Sequence, residues 1–216
     1  MWSKVVVVRC GVDTDQLTPV PELVRPAADA AALRVVCLGR LSPEKGQLVL
    51  VEAIDMLRAA GRDVHLELVG AGPDSDRIMR EIERRQLADA IRLVGELDHP
   101  EVVDRLLAAD VCCLPSFAEG IPVSMMEAMA LGVPVVASHV GGVPELAVDH
   151  CTAITVAPGD AAALAKALGE LADHPELRAR LAGAARRAVE QAHDTVRNVA
   201  HLADLFALAP GTDPHR

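Results

Sequence analysis

Short, largely apolar runs alternate along this chain with stretches whose apolar residues recur every three or four positions. The runs at 34–39, 64–69, 91–94, 111–114, 133–137 and 152–156 are the length of strands and are bounded by Gly, Pro or Asp, so they predict buried β-strands. After the first run, Leu48, Val51, Ile54 and Leu57 fall at helical spacing, and Gly61 ends that helix. Further helices are expected over 75–86, 100–109 and from Pro122 onward, where a proline at the first helical position sacrifices no hydrogen bond. Asp160 is placed to cap an Ala-rich helix running to Ala172. From Pro175 the pattern stays helical, in two pieces broken near His193-Asp194-Thr195. Strand and helix in strict alternation predict an α/β fold. The expected architecture is a single Rossmann-like, doubly wound parallel sheet of about six strands followed by C-terminal helices.

The flanks read differently. An apolar run at 5–8 suggests an edge or connecting strand, then a turn, and Pro19, Pro21 and Pro26 make the following stretch irregular. Residues 1–32 are therefore expected to be a linker and connecting strand, residues 33–208 one domain, and residues 209–216 a disordered tail. Leu202, Leu205, Phe206 and Leu208 would pack on the core or on a partner outside this chain.

In open α/β sheets, ligands bind at the carboxyl ends of the strands. Several loops there carry chemistry. The stretch 119–127 reads E-G-I-P-V-S-M-M-E: Glu119 falls in a loop after a strand and Glu127 about two turns into the next helix. Carboxylates only accept hydrogen bonds, which suits vicinal hydroxyls. The free N–H groups of Gly120 and Ile121 beside a helix start suit oxygen-rich or anionic groups. Arg40 and Lys45 bracket the loop after the first strand, where two cations suit a diphosphate. The G-A-G at 70–72 resembles a dinucleotide turn only weakly, because Ser75 stands at the third glycine position and Pro73 interrupts the turn.

Composition narrows the function. Only Trp2, Phe117 and Phe206 are aromatic and the net charge is −10, which opposes nucleic-acid binding by stacking or by phosphate neutralisation. The five cysteines lack C-x-x-C spacing, so buried, reduced thiols and a reducing, cytoplasmic setting are expected. The eight histidines show no ligand spacing, and no metal site is expected. No signal peptide or spanning apolar run is visible in the sequence.

Five motifs in order carry a resemblance to a known family: G-R-L-S-P-E-K-G at 39–46, L-V-G-A-G-P at 68–73, V-G-E-L at 94–97, E-G-I-P-V-S-M-M-E at 119–127, and A-M-A-L-G-V-P-V-V-A-S with G-G-V-P-E beyond it. Together they resemble the carboxy-terminal, donor-binding domain of a family 4 (group 1) glycosyltransferase of the GT-B fold. C-G-V-D at 10–13 resembles the start of that domain. The run D-H-C-T-A-I at 149–154 departs from the family's usual glycine there.

The resemblance implies transfer of a sugar from a nucleotide-diphospho-sugar to an acceptor hydroxyl, with retention and without a cofactor or divalent cation. It implies that Arg40 and Lys45 hold the diphosphate, that Glu119 contacts the transferred sugar, and that Glu127 accepts from the ribose. Gly39, Leu97, Gly120 and Ile121 would complete the donor site, with Leu97 beside the base. The family also carries an amino-terminal acceptor domain, for which this chain has no room, so the isolated chain is expected to be inactive. The longer enzyme is compatible with peripheral membrane association, and the face left uncovered here with a homodimer.

Three other readings stand beside this one. A nucleotide-sugar-binding or regulatory module without catalysis would need the same pocket. A nicotinamide-dependent oxidoreductase is disfavoured by the incomplete G-A-G-P-D-S loop. A sugar-nucleotide epimerase of similar architecture is disfavoured by the Glu-x7-Glu spacing.

Overall fold

The computed structural model describes residues 5–19 and 32–208. In chain order the elements are β1 (Leu33–Leu38), α1 (Gln47–Ala59), β2 (Val64–Val69), α2 (Ser75–Arg84), β3 (Ile91–Gly95), α3 (His99–Ala108), β4 (Val111–Leu114), α4 (Val123–Ala130), β5 (Val135–Ser138), a one-turn α5 (Val143–Leu146), β6 (Ile154–Val156), α6 (Ala161–Asp173), α7 (Pro175–Ala192) and α8 (Thr195–Leu208). The six strands form one all-parallel sheet in the order β3-β2-β1-β4-β5-β6. That is the doubly wound order, which reverses direction between β1 and β4.

Both faces are covered at the centre of the sheet, so β4 and β5 are buried at every position, whereas β2 towards the edge alternates, with His65 exposed. Val35 and Cys37 of β1 point to one face, under Leu50 and Ile54 of α1, Ile78 of α2 and Leu168 of α6. Val36 and Leu38 point to the other, under Leu106 of α3, the Met125, Met126 and Met129 ridge of α4, and Val189 of α7. With so few aromatic residues, the core is filled by Leu, Val, Ile, Ala and the flexible, unbranched Met.

Two strands start later than their apolar runs suggest. Val133 N–H closes the end of α4 by donating to the Ala128 carbonyl, and Pro134 has no N–H for the ladder, so β5 begins at Val135. Thr152 spends its hydroxyl on the Val148 N–H and the Leu146 carbonyl, which holds a turn ahead of β6. The run at 5–8 forms no strand: Val5, Val6 and Val7 are exposed, and the neighbouring β contact is a single bridge between Val12 and Asp194.

That bridge ties residues 11–17 across the α7–α8 junction. Val12 N–H donates to the His193 carbonyl, Thr195 N–H returns to the Val12 carbonyl, and Thr14 Oγ1 donates to Asp194 Oδ2 at 2.5 Å. The Arg186 guanidinium binds the carbonyls of Thr14, Leu17 and Ala130, fastening this strap to α4 and α7. The Pro-rich part of the expected linker (20–31), Trp2 and the expected disordered tail (209–216) lie outside the described residues. The helical break at His193-Asp194 falls where the sequence placed it.

Candidate functional site

The switch point between β1 and β4 brings together the two loops that the sequence singled out. After β1 the chain makes a 3-10 turn at Pro43–Lys45, then Gly46 in a left-handed conformation (φ 69°) before α1. A Cβ on Gly46 would sit 2.1 Å from the Pro115 carbonyl oxygen. Only glycine supplies both this conformation and this approach. The loops are further stitched by Phe117 N–H, which donates to the Glu44 carbonyl at 2.7 Å.

This apposition places Lys45 on Glu119. The ammonium reaches both carboxylate oxygens, at 2.8 and 2.9 Å. Ser116, itself buried, donates its hydroxyl to Glu119 Oε1 at 2.7 Å. The Glu119 side chain is 7% exposed and that of Lys45 29%, so the carboxylate is nearly buried and the cation is the more exposed partner. Beneath it, burial pushes the Cys37 thiol up to about 12. Burial likewise raises the thiols of Cys112 and Cys113.

Gly120 and Ile121 follow Glu119 into α4. Their N–H groups donate to nothing among the described residues, and they lie ahead of the helix N-terminus. The loop after β5 packs on them, with Gly142 N–H donating to the Gly120 carbonyl at 2.9 Å. Pro122 is the N-cap of α4 and not its first helical residue. Glu127, on the same helix, is largely buried and accepts from His99 at 3.1 Å. One carboxylate thus precedes the positive end of α4 in the loop and the other lies on the helix itself.

The remaining candidates border this centre. Arg40 is exposed and makes no ion pair among the described residues, while its carbonyl accepts from the buried Gln47 side chain at 2.9 Å. The space above Gly39 is open, with no atom within 4 Å of where a Cβ would lie. Leu97 is half-buried and packs against the α3–α4 side of the sheet, in the loop that leads to His99. The G-A-G turn has another purpose. Cβ atoms on Gly70 and Gly72 would lie 2.2 Å from the carbonyl oxygens of Gly39 and Leu41, so these glycines admit the neighbouring backbone of the loop after β1. Among the described residues, no three His, Cys, Asp or Glu side chains converge as a metal-ligand set.

Two participants were not singled out from the sequence. Ser116 stands three residues before Glu119, and His99 begins α3 in another carboxyl-edge loop. The rule that directed attention to the other loops applied to both, but a lone Ser or His in a loop gives no spacing signal.

A six-stranded, all-parallel, doubly wound domain with a lysine–glutamate pair at its switch point and a second carboxylate on the adjoining helix has the architecture of one half of a GT-B fold. The chain belongs to the family of group 1 glycosyl transferases, whose model matches residues 26–188. It is 34% identical over 185 residues to the glycogen synthase of Mycobacterium tuberculosis H37Rv, covering 86% of this chain and 44% of that protein. The structure superposes with a TM-score of 0.81 and 24% identity on Anabaena HepE solved in complex with UDP, over 91% of this chain and 56% of that one. It also matches the C-terminal domain of the group 1 family protein LpcC from Francisella tularensis, with a TM-score of 0.71 and 23% identity, over 84% of this chain and 97% of that one. The chain spans about half the length of the curated relatives it matches.

Proposed function

We propose that this chain is the nucleotide-sugar-binding half of a retaining, family 4 glycosyltransferase that transfers a sugar to an acceptor hydroxyl. The observation that carries the reading is the Lys45–Glu119 pair at the β1–β4 switch point, with Glu127 on the adjoining helix. In this reading Lys45 and Arg40 meet the charge that builds on the departing diphosphate, an electrostatic role for fixed cations in a partly dry crevice. The Gly120 and Ile121 amides and Glu119 bind the transferred sugar, Glu127 accepts from the ribose, and Gly39 leaves room for the phosphates. Leu97 borders the base. No divalent cation is needed, because the two cations neutralise the leaving group.

Turnover needs a second domain that supplies the acceptor and closes the crevice, so this chain alone binds donor without turning it over. The exposed apolar side chains of α8 suit such a domain, or a second copy when that domain is missing. A nicotinamide role is disfavoured, because the glycines a dinucleotide turn would use are occupied by the chain's own loop.

The test is calorimetric titration of the chain with UDP, GDP, ADP and NAD, with magnesium and with EDTA. Binding of one nucleoside diphosphate, equal in both conditions and lost in Glu127→Ala, supports the reading. Preference for NAD, or binding that requires magnesium, overturns it.

A further inference from the structure

We propose that His99 is a positioning residue for the nucleotide: its Nε2 holds the Glu127 carboxylate in the orientation that receives the ribose hydroxyls. This rests on the reading of Glu127 as the ribose ligand. The two residues come from different elements, His99 from the first position of α3 and Glu127 from the middle of α4, and their side chains meet at 3.1 Å. An ionised carboxylate only accepts, so the imidazole Nε2 carries the proton and donates to Oε1. That leaves Oε2 and one lone pair of Oε1 for two neighbouring hydroxyls.

The bond is not needed to build α3. The helix is started by a complete capping box: Asp98 accepts from the Glu101 N–H and the Glu101 carboxylate accepts from the Asp98 N–H, with Pro100 in the first turn. His99 buries little, since its side chain is 63% exposed against 14% for Glu127. An exposed partner on a mostly buried acceptor contributes little to fold stability. It does select one rotamer of the acceptor.

The position of the bond also fits. His99 follows Leu97 by two residues, in the loop proposed to border the base, and Glu127 is the proposed ribose contact. Base and ribose are adjacent parts of one nucleoside, so the bond fastens the loop on one to the side chain on the other.

The test uses the 216-residue chain and whichever of UDP, GDP or ADP it binds. His99→Ala is expected to weaken binding about three- to tenfold, the range of one lost hydrogen bond, with an unchanged melting temperature. His99→Gln, which keeps an N–H donor on a side chain of similar reach, should restore most of the affinity. Because His99 acts through Glu127, the double variant His99→Ala/Glu127→Gln should bind no more weakly than Glu127→Gln alone. Wild-type affinity in His99→Ala, or losses that multiply in the double variant, overturns the inference. Wild-type affinity in Glu127→Ala overturns the ribose reading instead. Failure of the unaltered chain to bind any of the three at millimolar concentration overturns both.

Discussion

Lys45 Nζ contacts both carboxylate oxygens of Glu119, at 2.8 and 2.9 Å, across 74 residues of sequence. The contact joins the loop after β1 to the loop after β4, the two strands at which the sheet reverses direction. Lys45→Ala removes the charge that a diphosphate would meet and leaves a nearly buried carboxylate with only Ser116 for a partner. Nucleotide-sugar affinity is expected to fall by about 1–3 kcal/mol, the cost of a lost charge-assisted bond. The melting temperature should fall as well. A variant with wild-type affinity in calorimetry would remove Lys45 from the site.

Glu119 and Glu127 should separate by ligand. Glu127→Ala is expected to weaken the nucleoside diphosphate and its sugar conjugate equally, by about 1–3 kcal/mol, since both carry the ribose. Glu119→Gln should weaken only the sugar conjugate, because its proposed contact is the transferred sugar. Titration of each variant with both ligands gives the comparison, and equal losses for both ligands in Glu119→Gln would cancel the assignment of roles.

Much of this arrangement was legible in the sequence. Short apolar runs alternating with helical stretches announced a doubly wound sheet, and the Glu119–Glu127 spacing placed one carboxylate in a loop and one on a helix. The pairings were not legible. Nothing local tells Lys45 that its partner is Glu119, because the contact depends on strand order, which sequence periodicity does not encode. Gly70 and Gly72 resembled a nucleotide turn for the same reason: close backbone approach demands glycine whether the visitor is a phosphate or the chain's own Leu41. Residues 5–8 looked like a strand by composition but pair with no strand among the described residues.

The α8 helix carries Val196, Val199, Leu202 and Phe206 exposed at spacings of three and four residues, a stripe along one side. Asn198 Nδ2 donates to the Arg9 carbonyl, so the strap runs beside the same helix. Continuous exposed apolar surface favours association. Light scattering of the isolated chain is expected to show a concentration-dependent dimer, and Phe206→Asp should yield a monomer with an unchanged melting temperature. A monodisperse monomer at all concentrations would count against self-association through this helix.

The five cysteines divide into two chemical classes. Cys37, Cys112 and Cys113 are buried in the sheet, whereas Cys10 and Cys151 are exposed. The thiolate is the reactive form, and burial raises the three core thiols, Cys37 to about 12 from an ordinary 9.0. A thiol reagent should therefore modify two cysteines in the native chain and all five after denaturation. The same shift sets an alkaline limit on stability. Below the unfolded thiol's value both states hold the proton and nothing is lost. Above it the unfolded chain ionises while the folded core stays protonated, so the core thiols favour unfolding as the pH rises, Cys37 progressively from about 9 towards about 12. Cys37→Ala trades this slope for a small cavity. Its unfolding free energy should be lower than wild type at pH 7, and the gap should narrow as the pH rises above 9. Urea melts at the two pH values measure the gap, and a constant difference would show that Cys37 is not protonated and buried as described.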